Sequence, residues 1–306
     1  VDFLLEGSDT RLDLLYVSEE LPFPATLPDH DVAIVAIGQS DRNQPLLERV
    51  GEALKSSTRP VLNSPGRISR LSRDNVGRLL QNIPGLEIPC TARVSRLELQ
   101  QLCNGEISVS SLLADGGFPL IVRPLGSHGG SGLIKADSPA DLAGYLEAMP
   151  QDEFNIARFV DYRKPDGLYR KYRIALIGGK PYACHLAISE NWMIHYKNAG
   201  MMESASKRAE EERFMAEFDT DFARRHRNAF GMVGERLGLD YLVMDCGETQ
   251  DGKLLIFEAD NLGFVHAMDP PDIFPYKPAQ MRKVFGAFHA MLQEAVRQNR
   301  TGASPG

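Results

Sequence analysis

The stretch Tyr241-Leu-Val-Met-Asp-Cys-Gly-Glu-Thr-Gln-Asp-Gly-Lys-Leu-Leu-Ile-Phe-Glu-Ala-Asp-Asn261 reads as one β-hairpin. Tyr241 to Asp245 is an apolar strand ending in a carboxylate, and Lys253 to Glu258 is the return strand. Asp251-Gly252 between them carries the tight-turn signal. Side chains alternate with period two along a strand. Pairing Glu248 with Lys253 therefore sets Asp245 opposite Ile256 and makes Glu258 its diagonal neighbour on the same face. Asp260 follows on that face. Three carboxylates there repel one another unless a cation joins them. An all-oxygen set suits Mg²⁺, which keeps some water and binds substrate phosphates as well. The competing reading is a solvated hairpin end whose acids hold nothing.

Composition allows a full enzyme. The chain has 306 residues, 43% hydrophobic and 25% charged, which is ordinary for a globular protein and enough for two or three lobes. A formal net charge of −7 argues against a general nucleic-acid binder. Cys90, Cys103, Cys184 and Cys246 lie far apart with no Cys-x-x-Cys, as expected of reduced thiols in a cytoplasmic protein. The histidines show no zinc spacing. No signal peptide and no run of about 18 apolar residues is present, so neither secretion nor membrane spanning is supported. The chain starts at Val1, which is compatible with a piece of a longer protein.

Outward from the hairpin, the first third reads as a small α/β layer. Leu12–Val17 and Asp31–Ile37 are strand candidates, and Leu46, Leu47, Val50 and Leu54 mark one face of a helix. Pro60–Leu62 is a short strand, Pro65 suits a helix start, and a further helix is expected over Arg70–Gln81. Alternation of this kind implies a doubly wound layer. No Gly-x-Gly-x-x-Gly follows these strands, so a nicotinamide site is unsupported.

The middle third changes character. Phe118–Arg123 is a strand ending in a cation, and Gly126-Ser-His-Gly-Gly-Ser-Gly132 follows almost at once. Its glycines and serines make a pliable loop whose amides can reach a phosphate. No Gly-Lys-Ser/Thr closes it, so it is not a Walker loop; an ordinary hairpin turn is the competing reading. Ser138–Asp141 looks like the capped start of a helix, and Phe154–Val160 like a strand. Arg173–Ile177 and Lys180–Ile188 form a hairpin around Gly178-Gly179. This part is therefore mostly antiparallel sheet. The charge run Lys207–Arg213 reads as a solvated helix face, and Pro278–Gln298 as an amphipathic helix.

In this order the parts resemble the ATP-grasp superfamily, in particular the ribosomal-protein glutamate ligases, glutathione synthetases and related carboxylate–amine ligases. The resemblance covers nearly the whole chain. It implies an α/β fold in which an N-terminal doubly wound lobe (1–96), a lid lobe with the glycine loop (97–160) and a C-terminal lobe with the acidic hairpin (161–306) clasp a nucleotide. It implies ATP and Mg²⁺, with Asp245, Glu258 and Asp260 on the metal. Arg123, Lys171 and Arg173 fall on phosphate-contacting positions, and Gly126, Ser127, His128, Gly129, Gly130, Ser131 and Gly132 on the mobile loop. Arg158, Phe159 and Val160 fall on the hinge that holds adenine. Trp192, His195, Lys197 and Asn198 occupy the substrate-facing segment, and His266 follows the metal hairpin. If that segment is extended, Trp192, Tyr196 and Asn198 share one face, and His195 and Lys197 the other.

Arg123, Arg173, Asp245 and Glu258 would carry the chemistry: activation of a carboxylate as an acyl phosphate, then attack by an amine. The partners implied are small-molecule or peptide carboxylates and amines, with no nucleic acid and no membrane; a homodimer is compatible. Three departures stand out. Arg123 replaces the usual Lys, which keeps the charge and adds a fork. Asp260 replaces an Asn. Asn75 stands where a second Lys is expected, which leaves Arg73 or Arg78 to substitute. A phosphotransferase that stops at the phosphorylated product, or a nucleotide-binding domain without turnover, remains open on this reading.

Overall fold

The computed structural model describes residues 2–21, 23–24, 26–127 and 129–302. In the first lobe β1 (Ala33–Ile34) and β2 (Val61–Leu62) pair in parallel. Helices Gln44–Leu54, Pro65–Ile68 and Arg73–Leu79 pack around them, close to the expected spans. The strand expected over Leu12–Val17 does not form, because no neighbouring strand pairs with it; Tyr16 stands 82% exposed. The strand expected over Asp31–Ile37 shrinks to β1. β3 (Leu86–Glu87) leaves this lobe and joins the C-terminal sheet.

β4 (Thr91–Ser95), β5 (Leu120–Pro124), β6 (Ile134–Ala136) and β7 (Glu153–Arg158) form a four-stranded antiparallel sheet in the order β4-β7-β5-β6. Ser95 opens the helix Arg96–Cys103 with a capping box, satisfying amides that would otherwise lack partners. Ser138 caps Pro139–Ala148 through the amide of Asp141. Val94, Leu99, Leu120, Val122, Leu142, Phe154 and Ile156 make this lobe's own core.

β8 (Tyr169–Ile177), β9 (Lys180–Ser189), β10 (Tyr241–Glu248) and β11 (Leu254–Asp260) complete a five-stranded sheet in the order β3-β11-β10-β8-β9. Phe230, Phe274 and Phe288 are fully buried in a core shared with the first lobe. Truncating one of them to Ala would cost about 3–5 kcal/mol. The charge run is helix Ala205–Glu217, and the C-terminal helix runs from Lys277 to Gly302.

The acidic hairpin forms, with a register that differs from the expected one. Glu248 pairs with Leu254 and Cys246 with Ile256, and then a bulge at Phe257 sets Asp245 directly opposite Glu258. A uniform register cannot accommodate the extra residue. The bulge shifts the pairing and returns both acids to one face. The segment Trp192–Asn198 is not extended. It bends and enters a 3-10 turn, Tyr196–Asn198, so the alternation of faces expected there does not apply.

Candidate active site

A second bulge completes a row of polar residues. On β9 the extra residue is Cys184, so Arg173 faces His185. Arg173 also pairs with Asp245 on β10, and Asp245 with Glu258 on β11. Glu258, Asp245, Arg173 and His185 thus run across four adjacent strands. Lys171, two residues before Arg173, points to the same face, whereas Tyr172 between them packs on Phe214 and Phe222.

The charges in the row are tightly paired. Arg173 donates through Nε to Asp245 Oδ1 at 2.8 Å and through Nη2 to Oδ2 at 3.0 Å; Lys171 Nζ donates to Oδ2 at 3.0 Å. Burial alone would raise the Asp245 pKa. The Arg173 hydrogen bonds and charge, with Lys171, outweigh it and hold the carboxyl well below its usual range. Burial, reinforced by Arg173, pushes His185 well below its ordinary value, so its ring is neutral. Its Nδ1 is buried without a hydrogen-bond partner. The ring lies 4.7 Å from that of Tyr196.

Of Arg73 and Arg78, Arg73 is the one that meets the acidic hairpin. It reaches from the helix Arg73–Leu79 to Glu258 at 2.5 Å and to the carbonyl of Phe257 at 3.3 Å. Arg78 instead bonds Asn75, which donates to the carbonyl of Arg70. Arg123 is 9% exposed, and its side chain donates to Ser127 Oγ at 3.2 Å and to the Ser127 carbonyl. Burial and the nearby charge of Arg73 push its pKa down to about 10. Arg73, Arg123, Lys171 and Arg173 thus gather around Asp245 and Glu258. Guanidinium groups set this close together make a preformed anion site, suited to phosphate oxygens.

The glycine loop joins β5 to β6. Gly126, Gly129, Gly130 and Gly132 all have φ between 61° and 76°, the left-handed region that glycine enters without strain. A Cβ added at Gly130 would stand 2.7 Å from His195 Nε2, so the loop lies against the segment Trp192–Asn198. Ser131 lies in the loop's turn. His128 lies outside the described residues, and so does the side chain of Lys197.

The other expected residues have these contacts. Arg158 pairs with Glu87 and, at 3.0 Å, with Asp115. Phe159 meets Trp192 edge-on at 5.8 Å, and Lys135 sits over the Phe159 ring at 4.9 Å. Lys135 escaped the sequence reading, although a cation directly after the loop was its signal. Val160 is half-buried against the core shared with the first lobe. The Asn198 side chain accepts from the amide of His195 at 3.0 Å and closes the 3-10 turn. His266 Nδ1 accepts from the amide of Met268 at 3.1 Å. Asp260 Oδ1 accepts from the amide of Leu262 at 2.9 Å.

Among the described residues no three acidic, histidine or cysteine side chains gather into a ready cation cage. Mg²⁺ seldom uses one. It is held by one or two carboxylates together with substrate phosphates and water. The directly opposed Asp245 and Glu258 fit that pattern.

No protein-family model and no curated protein sequence matches the chain. Solved structures do. The chain is similar to the VanG D-Ala:D-Ser ligase from Enterococcus faecalis, with 12% identity and a TM-score of 0.51 over 87% of this chain and 74% of that one. An ATP-grasp RimK domain protein from Sphaerobacter thermophilus is 16% identical, with a TM-score of 0.47 over 87% and 82%. The D-alanine-D-alanine ligase from Coxiella burnetii is 11% identical, with a TM-score of 0.49 over 90% and 71%. At such identities the likeness is one of fold.

Proposed function

On the premise of its ATP-grasp fold, we propose that this chain is an ATP-dependent carboxylate–amine ligase. One observation carries the reading. Four cations converge on two opposed carboxylates beneath a glycine-rich loop. That arrangement binds a polyphosphate and its counter-ion.

Arg123 and Arg73 hold phosphate oxygens from the loop side, and Lys171 and Arg173 from the sheet side. Asp245 and Glu258 would hold Mg²⁺, with Asp260 two residues further along β11. The ion would supply charge that offsets the charge developing on the phosphates during transfer. The carboxylate substrate takes the γ-phosphoryl group as ADP leaves. The resulting acyl phosphate is attacked by an amine, and phosphate leaves as the amide forms. The glycine loop closes over this intermediate and keeps out water that would hydrolyse it. Asp245 also fixes the fork of Arg173, so the row orients its cations before substrate arrives. No side chain need become covalently bound. Phe159, with Lys135 over its ring and Trp192 at its edge, offers a flat apolar surface for the adenine ring.

The test is ADP release from Mg-ATP across a panel of carboxylates, each with and without an amine. Release that depends on both partners, with amide formed in equal amount, is the expected result. Phosphorylated product without amide, at every amine tried, would refute it.

A further inference from the structure

Past the acidic hairpin the chain exposes apolar side chains from a backbone that cannot move freely. Leu262 is 43% exposed, Phe264 50% and Met268 57%. Such exposure usually accompanies a loose loop, but this segment is pinned along its length. Asn261 donates to the carbonyl of Ile37 at 3.0 Å. The amide of Leu262 bonds Asp260 at 2.9 Å, and Asp269 bonds Lys277 at 2.8 Å. At Gly263 a Cβ would stand 2.4 Å from Val243 Cβ, so the backbone lies directly on β10. Asn261 and Val265 turn inward and are buried. The outward residues form a fixed apolar shelf, with Phe3 edge-on to Phe264 at 5.2 Å.

Arg173 ties the shelf to the site. While Nε and Nη2 hold Asp245, Nη1 donates to the carbonyl of Phe264 at 2.9 Å. The shelf's backbone therefore abuts the cation row, and a ligand with an apolar body on the shelf can set an anionic end at those cations. A shelf of this kind favours one occupant over a protein surface: a small molecule with an anionic end and an apolar body.

We infer that the carboxylate substrate carries a large apolar or aromatic group, as in a hydrophobic amino acid or a peptide acid ending in one; this rests on the ligase reading. Moving such a group from water onto Leu262, Phe264 and Met268 supplies binding that a small or charged substrate forgoes.

The experiment uses hydroxylamine, which traps acyl phosphates as hydroxamates, with Mg-ATP and both enantiomers of alanine, glutamate, leucine and phenylalanine. Leucine or phenylalanine should exceed alanine and glutamate at least tenfold in kcat/KM. Phe264→Ser and Met268→Ser should each narrow that ratio at least threefold. Turnover confined to alanine or glutamate overturns the inference and leaves the ligase reading intact. If no carboxylate is turned over, that reading fails, and ligand-observed NMR with the same amino acids decides the inference. Phenylalanine binding weakened by Phe264→Ser supports it; equal binding of phenylalanine and alanine overturns it. Self-association of the wild type that Phe264→Ser abolishes would make the shelf a protein interface and also overturn it.

Discussion

Two hairpins face the candidate site, and they solve opposite problems. β10–β11 is rigid: Thr249 Oγ1 bonds Asp251 at 2.5 Å, and its carboxylates are locked to cations. β5–β6 is built differently: its loop holds four left-handed glycines and, among the described residues, is held by side-chain hydrogen bonds only from Arg123 to Ser127 and from Tyr145 to the carbonyl of Gly132. The first is prepaid order, with charges oriented before any ligand arrives. The second leaves its ordering to be driven by the ligand. The proposed ligase, which would hold a cation in place and yet admit a nucleotide, needs both.

The largest expected effect breaks the rigid side. Asp245→Asn and Glu258→Gln should each lower ADP release roughly a hundredfold or more, because charge at the reacting phosphate is then uncompensated. Their stabilities should differ. Asp245 is 11% exposed and pairs with two cations, so losing its charge strands them and costs about 3–5 kcal/mol. Glu258 is 40% exposed and pairs with Arg73, so its loss costs under about 1 kcal/mol. Thermal melts beside kinetics check both. Full activity in either variant would remove the metal assignment.

Next comes the buried cation at the foot of the glycine loop. Arg123→Ala should raise the apparent KM for ATP roughly tenfold to a hundredfold, the worth of one charge-assisted contact. Arg123→Lys should recover most of it. If Lys is as poor as Ala, the fork to Ser127 matters more than the charge.

On the side of the glycine loop, Gly130→Ala combines left-handed φ strain of about 1 kcal/mol with a clash against His195. Turnover should fall roughly tenfold. Adding His195→Ala should restore part of the loss, since only the clash is relieved. A double variant no better than the single one would mean that loop and segment do not meet during turnover.

The smallest effect is a pH slope. His185 is neutral in the folded state and titrates near its ordinary value when unfolded. Below about pH 6.5 the unfolded chain binds a proton that the folded chain refuses. Stability should therefore fall between pH 6.5 and 5, by up to about 1.4 kcal/mol per unit, and His185→Gln should flatten the slope. Denaturant titrations at pH 5, 6 and 7 measure it.

Much of this was legible in the chain. The hairpin Tyr241–Asn261, the loop Gly126–Gly132 and the turn Gly178-Gly179 carry local signals that packing does not override. Bulges carry none. Phe257 and Cys184 look like ordinary strand residues, so the direct pairing of Asp245 with Glu258 and of Arg173 with His185 could not be read. The site role of Arg73 depends on a helix docking beside β11, a contact between residues far apart in sequence. Leu12–Val17 has a strand's pattern and no partner, and pattern alone cannot supply one. The buried Lys277, which bonds Asp269 and the Tyr196 hydroxyl and lies 3.3 Å from Glu211, is invisible for the same reason.

The most direct test is amide hydrogen exchange with a non-hydrolysable ATP analogue, with and without Mg²⁺. With both present, residues 124–134 should gain protection strongly, while 241–261, already ordered, should change little. Exchange across 124–134 that is unchanged at saturating analogue would contradict the account, for the loop would then be a plain hairpin turn and the nucleotide would bind elsewhere.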